Sequence, residues 1–192
     1  VYEYNPENLK RSKGFNLSTD GSQGAMIPIE AVWQPKMGTE QLTGEYRLGY
    51  YYSTADATEI KNSAQTAHKQ GMWVVAKQQF THHNGDNSRG LAGFVNLTVH
   101  DSNTNTVSNM QNIGLTYTGL SDTRPKDQLA IGLARISINH DVRDQQIVLR
   151  QDPQHEEYDA EIYYGLQATN WLTIRPNIQY IRHVGAYKNG EN

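Results

Sequence analysis

Residues Glu156–His183, EEYDAEIYYGLQATNWLTIRPNIQYIRH, decide the reading of this chain. Every second residue of the first half is apolar or aromatic: Tyr158, Ala160, Ile162, Tyr164, Leu166, Ala168. Between them stand Glu157, Asp159, Glu161, Tyr163, Gly165 and Gln167. After a very short turn the pattern resumes, with Leu172, Ile174, Pro176, Ile178 and Tyr180 alternating with Thr173, Arg175, Asn177 and Gln179. Period-two alternation places these sets on opposite faces of β-strands. One face is apolar and the other carries charge.

The same period recurs along the chain, in Gly24–Gln34, Leu42–Thr54, Gly71–His82, Gly90–Asp101, Asn109–Leu120, Gln128–His140, Glu156–Thr169 and Trp171–His183. Ordinary strands run about five or six residues. A tilted strand crossing a bilayer needs about 9–11, and these runs are at least that long. The connections alternate too. Those at 34–38, 83–89, 121–127 and around Asn170 are short, whereas Ala55–Gln70 and Asp141–His155 are long and polar and Ser102–Ser108 is intermediate. Tight turns at one end and long loops at the other are the pattern of outer-membrane barrels. No helical period stands out, and no helix is placed.

Composition fits that reading. Hydrophobic residues make up 36% of 192, mean hydropathy is −0.73, and net charge is −3. A barrel in lipid needs only one apolar face, because its interior is wet. The near-neutral charge gives no electrostatic case for nucleic acid. Cysteine is absent, which excludes disulfides and thiol chemistry. No apolar run is long enough for a membrane helix. The start VYEYNPENL and the stop KNGEN lead us to expect a piece of a longer chain.

The faces assign candidate lumen residues. In LTGEYRLGYYYST, Leu42, Gly44, Tyr46, Leu48, Tyr50 and Tyr52 take one side, Thr43, Glu45, Arg47, Gly49, Tyr51 and Ser53 the other. In GLAGFVNLTVHD, Leu91, Gly93, Val95, Leu97 and Val99 oppose Ala92, Phe94, Asn96, Thr98 and His100. In QLAIGLARISINH, Leu129, Ile131 and Leu133 share a phase with Arg135, so we expect them inward and Ala130, Gly132, Ala134, Ile136 and Ile138 outward.

Four segments in order, LTGEYRLGYYY, RGLAGFVNLTV, IGLTYTGLSDTRPKDQLAIGLARIS and EEYDAEIYYGLQATNWLTIRPNIQYI, resemble the carbohydrate-selective porin family, the OprB-type glucose porins of Gram-negative outer membranes. The resemblance runs from about Gly24 to Tyr180. Thr43 stands where the family commonly has Pro, and HVGAYKNGEN stands where it tends to Pro-Gly. The fold implied is all-β, a transmembrane antiparallel β-barrel of about 16 strands. Residues 1–192 are then one domain, roughly the C-terminal half without the last strand. Val1–Tyr4 is the tail of the strand before Gly24–Gln34, and Asn5–Gln23 an external loop. The resemblance implies passive diffusion of glucose-type sugars through a water-filled passage.

Sugars ask for hydrogen-bonding groups at their hydroxyls and an aromatic surface for their C–H face. The inward candidates are Glu30, Glu45, Arg47, Trp73, Lys77, Gln79, Asn96, Glu161, Arg175, Asn177 and Gln179. Any one of these can instead merely solvate the wall. Trp33, Tyr46, Tyr52, Tyr117, Tyr164, Trp171 and Tyr180 read as interface girdle residues. Partners implied are small sugars, outer-membrane lipid and lipopolysaccharide, with monomer and homo-oligomer both left open.

Cofactors, metals and catalysis are not expected. His82 and His83 read as a turn edge, since neighbours on a strand cannot chelate together. Asp101–Asn105 starts like a calcium loop but has Thr106 and Asn112 where Gly and Glu belong. Arg124-Pro125-Lys126-Asp127 reads as a turn. A secreted β-sandwich carbohydrate-binding module is the first rival; it needs two stacked apolar faces. A barrel enzyme such as an outer-membrane lipase or protease is the second; it needs a catalytic Ser or Asp/His set at a strand end, which the sequence does not show, and loss of lipid hydrolysis on mutating Ser53 or Ser137 would favour it.

Overall fold

The computed structural model describes residues 2–4 and 23–188. The strands are β1 (Tyr2–Tyr4), β2 (Gly24–Trp33), β3 (Lys36–Met37), β4 (Leu42–Thr58), β5 (Thr66–Gln79), β6 (Gly90–His100), β7 (Val107–Thr118), β8 (Gln128–Ile138), β9 (Glu156–Gln167), β10 (Thr173–Ile174) and β11 (Asn177–Arg182). They form one antiparallel sheet in the order β1-β2-β4-β5-β6-β7-β8-β9-β10, with β11 also on β9 and β3 on β4. It is a pure meander. Each long strand pairs with the next long strand in sequence, and the short β3 and β10 add to the edges of these hairpins, as long alternating runs joined by turns dictate.

Among the described residues the sheet has no second layer. Among the described residues only Ala130 and Ala186 are buried apolar side chains, while Leu48, Ile131 and Ile178 are 58%, 51% and 74% exposed. A sandwich would cover one face with another sheet. No helix of the described residues is long and apolar enough to cross a membrane, which says nothing of crossing by strands.

Register fixes the faces, because directly paired residues share one. Ile29 pairs with Tyr50, Tyr50 with Met72, and Met72 with Val99. Ile113 pairs with Leu133, Leu133 with Ala160, and Ala160 with Tyr180. Here one expectation is corrected. Leu129, Ile131 and Leu133 lie on the apolar face, opposite Tyr117, Leu115 and Ile113, whereas Ala130, Gly132 and Ala134 face the polar side. Arg135 misled the assignment. It sits near the long-loop end of β8, where it bonds Glu156 at 3.3 Å and lies 6.0 Å from the Tyr158 ring.

Strand limits also differ. The hairpin expected to open at Ala55 continues past a register shift between Tyr52 and Asp56, pairing Asp56 with His68 and Thr58 with Thr66. Polar residues continue a ladder beyond the apolar band because backbone pairing does not need an apolar face. The last run, expected unbroken, splits into β10 and β11 around Arg175-Pro176. Proline has no N–H to donate to the ladder, although its carbonyl still accepts from Tyr164 at 3.1 Å.

A helix, α1 (His140–Val148), occupies the long loop where none was expected. Its sequence HDVRDQQIV carries no apolar stripe, so periodicity is silent. Its signal is the N-cap. The Asn139 side chain accepts from the Asp141 N–H at 3.0 Å, and Asp141 sits in the first turn. The Val1–Tyr4 segment pairs with β2 through Tyr2–Tyr4, whereas Val1 and the expected external loop at 5–22 lie outside the described residues.

The short turns are clasped to one another. Arg89, only 8% exposed, donates to the Gly119 carbonyl through Nε at 3.1 Å and Nη2 at 2.6 Å. Its Nη1 reaches Asp122 at 2.9 Å, and that guanidinium holds the Asp122 carboxyl below its usual range. Asp127 accepts from Arg124, from the Tyr164 hydroxyl at 2.5 Å and from the Gln167 N–H at 2.9 Å. Arg124 foremost, then Tyr164 and Gln167, hold its pKa down at about 2.

Candidate functional site

The polar face is built of parallel register lines. One runs Glu45, Lys77, Phe94, Gly114, Gly132, Glu161, Gln179 across β4 to β11. The next, toward the long loops, runs Val32, Arg47, Val75, Asn96, Asn112, Ala134, Asp159, Ile181. Neighbouring strands lie about 4.8 Å apart, so each line brings side chains from many sequence positions within reach.

Five candidates meet on β2, β4 and β5. Glu45 accepts from Arg47 Nη2 at 2.9 Å, from Lys77 Nζ at 3.1 Å and from Gln34 Nε2 at 2.8 Å. Arg47 also bonds Glu30 at 3.3 Å, and the Trp73 indole N–H donates to Glu30 at 2.6 Å. The four charges sum to zero, two acids against two bases. Exposed ion pairs of this kind contribute roughly 0–1 kcal/mol each. Their chief effect is therefore to hold long side chains in fixed places on the wall, with opposed charges setting a local field.

A second group meets at the far edge. Glu161 accepts from Asn177 Nδ2 at 3.0 Å and from Gln179 Nε2 at 3.1 Å. Arg175 stacks 4.6 Å over the Tyr163 ring. Asn96 lies between the two groups and accepts from Thr98 at 3.5 Å. Gln79 shares the face but joins neither group. Its amide donates to the carbonyls of Thr81, Asn87 and Arg89, so it fastens the turn.

Four residues of the polar face that line one hollow, Phe94, Asn112, Gly132 and Asp159, fall outside the sequence candidates. Phe94 was legible, standing on the polar side of its own alternation. Asn112, Asp159 and Gly132 are an amide, a carboxylate and a glycine whose meeting depends on register across three strands.

The remaining motifs resolve locally. His82 bonds Glu40 at 3.1 Å, while His83 bonds the Tyr117 hydroxyl at 3.0 Å and faces Asp122 at 3.4 Å, so the two imidazoles have separate partners. Asp101 accepts from the Asn103 and Thr104 N–H groups, from the Asn105 amide and from the Gln70 N–H of β5 at 3.1 Å, so its carboxylate is spent on holding a turn. Trp33 packs on Tyr46 at 5.4 Å beside the first short turn, and Trp171 is 82% exposed beside the last.

A one-layer antiparallel meander, apolar on one face and lined with paired charges on the other, is the wall architecture of a transmembrane β-barrel. The chain belongs to the carbohydrate-selective porin, OprB family, whose family model matches residues 1–192. It is 47% identical to "Porin B" of Pseudomonas aeruginosa over 100% of its own length and 48% of that protein's. It is 37% identical to "Putative porin QuiX" of Acinetobacter baylyi, over 98% of this chain and 47% of the relative. The chain thus spans about half the length of the curated relatives it matches. Among solved structures, the high-pH form of Pseudomonas putida OprB superposes with a TM-score of 0.91 at 46% identity, over 97% of this chain and 50% of that one. The low-pH form gives 0.62 at 48% identity, over 83% and 42%.

Proposed function

We propose that this chain is part of a single barrel domain forming an outer-membrane channel of a Gram-negative bacterium, through which sugars of the glucose type diffuse passively. The observation that carries the reading is the two-solvent sheet: aliphatic residues exposed in register on one face, and Arg47 between Glu30 and Glu45 on the other. Lipid solvates the first face and water the second. Open sheet edges are not tolerated in hydrocarbon, so β1 and β10–β11 pair with further strands of a closed barrel. Outer-membrane lipid and lipopolysaccharide cover the apolar face.

Passage needs no bond chemistry. Hydroxyls are handed along Glu, Arg, Asn and Gln side chains, and binding stays weak enough to permit release. The β-sandwich alternative is not favoured, because among the described residues neither face is stacked on another layer.

The test is conductance of the intact protein in planar bilayers with glucose or maltose added. Glucose-dependent block of the ion current is expected. A current indifferent to both sugars overturns the selectivity, and absence of any channel overturns the proposal.

A further inference from the structure

We propose a monosaccharide subsite in the hollow between Phe94 and Glu161, with Gly132 as its floor; it rests on the channel reading above. The hollow measures about 500 Å³ and is open to the polar side. Small-ligand sites typically span about 300–1,000 Å³.

Its shape follows from one register line. Phe94 pairs with Gly114, Gly114 with Gly132, and Gly132 with Glu161. The two glycines are treated differently. The Phe94 ring lies over Gly114, where a Cβ would stand 2.5 Å from its Cε1. At Gly132 a Cβ would meet only the Ile113 carbonyl oxygen, at 3.8 Å. One glycine therefore seats an aromatic ring flat against the sheet, and the next leaves open floor beside it.

The chemistry around that floor is two-sided. On one flank is the ring, whose electron-rich face attracts weakly positive C–H groups. On the other is Glu161, each of whose oxygens takes a single amide donor, from Asn177 and from Gln179. A carboxylate has about four acceptor positions, so lone pairs remain for hydroxyl donors. Asp159, on the next register line, has a buried carboxylate oxygen with no hydrogen-bond partner among the described residues, and Asn112 adds an amide that both gives and accepts. A pyranose matches this layout, with C–H groups on its flat side and hydroxyls around its rim. The fixed positions of Glu161 and Phe94 would orient it as it passes.

The experiment uses the intact protein in planar bilayers with glucose as probe. The quantity read is the glucose concentration that halves each variant's own open current. Gly132→Val fills the floor, its Cβ meeting nothing nearer than the Ile113 carbonyl oxygen at 3.8 Å. Phe94→Leu removes the ring while keeping apolar bulk. Each is expected to raise the half-blocking concentration about two- to tenfold, the range one aromatic contact spans. Glu161→Gln, which keeps the shape, is expected to raise it as well. Parent-like values for both Gly132→Val and Phe94→Leu would overturn the subsite and leave the channel reading standing. A parent current that glucose does not alter would overturn the channel reading, and the subsite with it.

Discussion

Trp73 lies across Gly49, with its indole N–H on Glu30 at 2.6 Å. A Cβ at position 49 would stand 2.0 Å from the ring. The glycine is thus what lets an aromatic plane lie flat on the wall, and the hydrogen bond to Glu30 fixes its direction. Glu30 in turn fixes Arg47 at 3.3 Å, so the orientation of one ring is tied to the charge pattern of two strands.

Gly49→Ala is expected to lift Trp73 off the sheet. Overpacking of this kind costs about 1–3 kcal/mol. Urea unfolding of the intact barrel should show a lower midpoint. Trp73→Leu combined with Gly49→Ala should recover most of it, since the colliding ring is gone. No recovery in the double variant would locate the strain elsewhere.

Arg47→Gln leaves Glu30 and Glu45 facing Lys77 alone, changing the local sum from zero to −1. One unit charge acts on a passing ion at about 8 Å in water with roughly 0.5 kcal/mol, less after salt screening. Cations gain what anions lose, so the cation-to-anion permeability ratio is expected to rise about two- to fivefold. Zero-current potentials in a KCl gradient measure it. A shift toward anions would contradict the assignment of this face to the lumen.

The fold was legible in the residues because a barrel writes its two solvents into every strand. Alternation over long runs named the strands, and loop lengths named the two ends. Most of what failed depends on information carried across strands. Leu129 to Leu133 could not be placed from their own strand, since Arg135 shares their phase. Only pairing with Ile113 and Ile162 decides the face. The same holds for the hollow at Gly132, whose walls come from β6, β7 and β9. Gln79 has the right face but its donors are used by turn carbonyls, which no spacing reveals. Helix α1 lacks a stripe, and only its cap residue announces it.

Asp127 supplies a pH signature. Its carboxyl is held at about 2 in the fold against an ordinary 3.8, chiefly by Arg124. A group with a depressed folded pKa stabilises fully above its unfolded value and loses that contribution as pH falls through the folded one. The parent should therefore lose turn stability between about pH 4 and pH 2. Asp127→Asn should have a lower urea midpoint than the parent at pH 6, and the two should converge near pH 2. A gap that stays constant over this range would contradict the ionised Asp127 clasp.

Asn139 is the fully buried link of the long-loop side, with 0% exposure. Its amide donates to the carbonyls of Ser102 at 2.7 Å and Asn105 at 2.9 Å, and its oxygen accepts from the Asp141 N–H. Its own N–H donates to the Thr106 carbonyl at 2.8 Å. Asp141 then pairs with Lys61 at 3.1 Å, bringing the third loop in. Asn139→Ala leaves two carbonyls and the Asp141 N–H without these partners and removes the cap of α1. Each buried group left unpaired costs about 1–3 kcal/mol, against a helix of nine residues that cannot hold alone. The loops should open while the sheet persists, because the sheet's ladder involves none of these bonds. Limited proteolysis of the folded barrel should therefore cut the variant within 139–155 many times faster than the parent. Asn139→Asp, which keeps the accepting oxygen but not the donors, should fall between them. Equal cutting of Asn139→Ala and the parent would show that the loops are held by something other than this side chain.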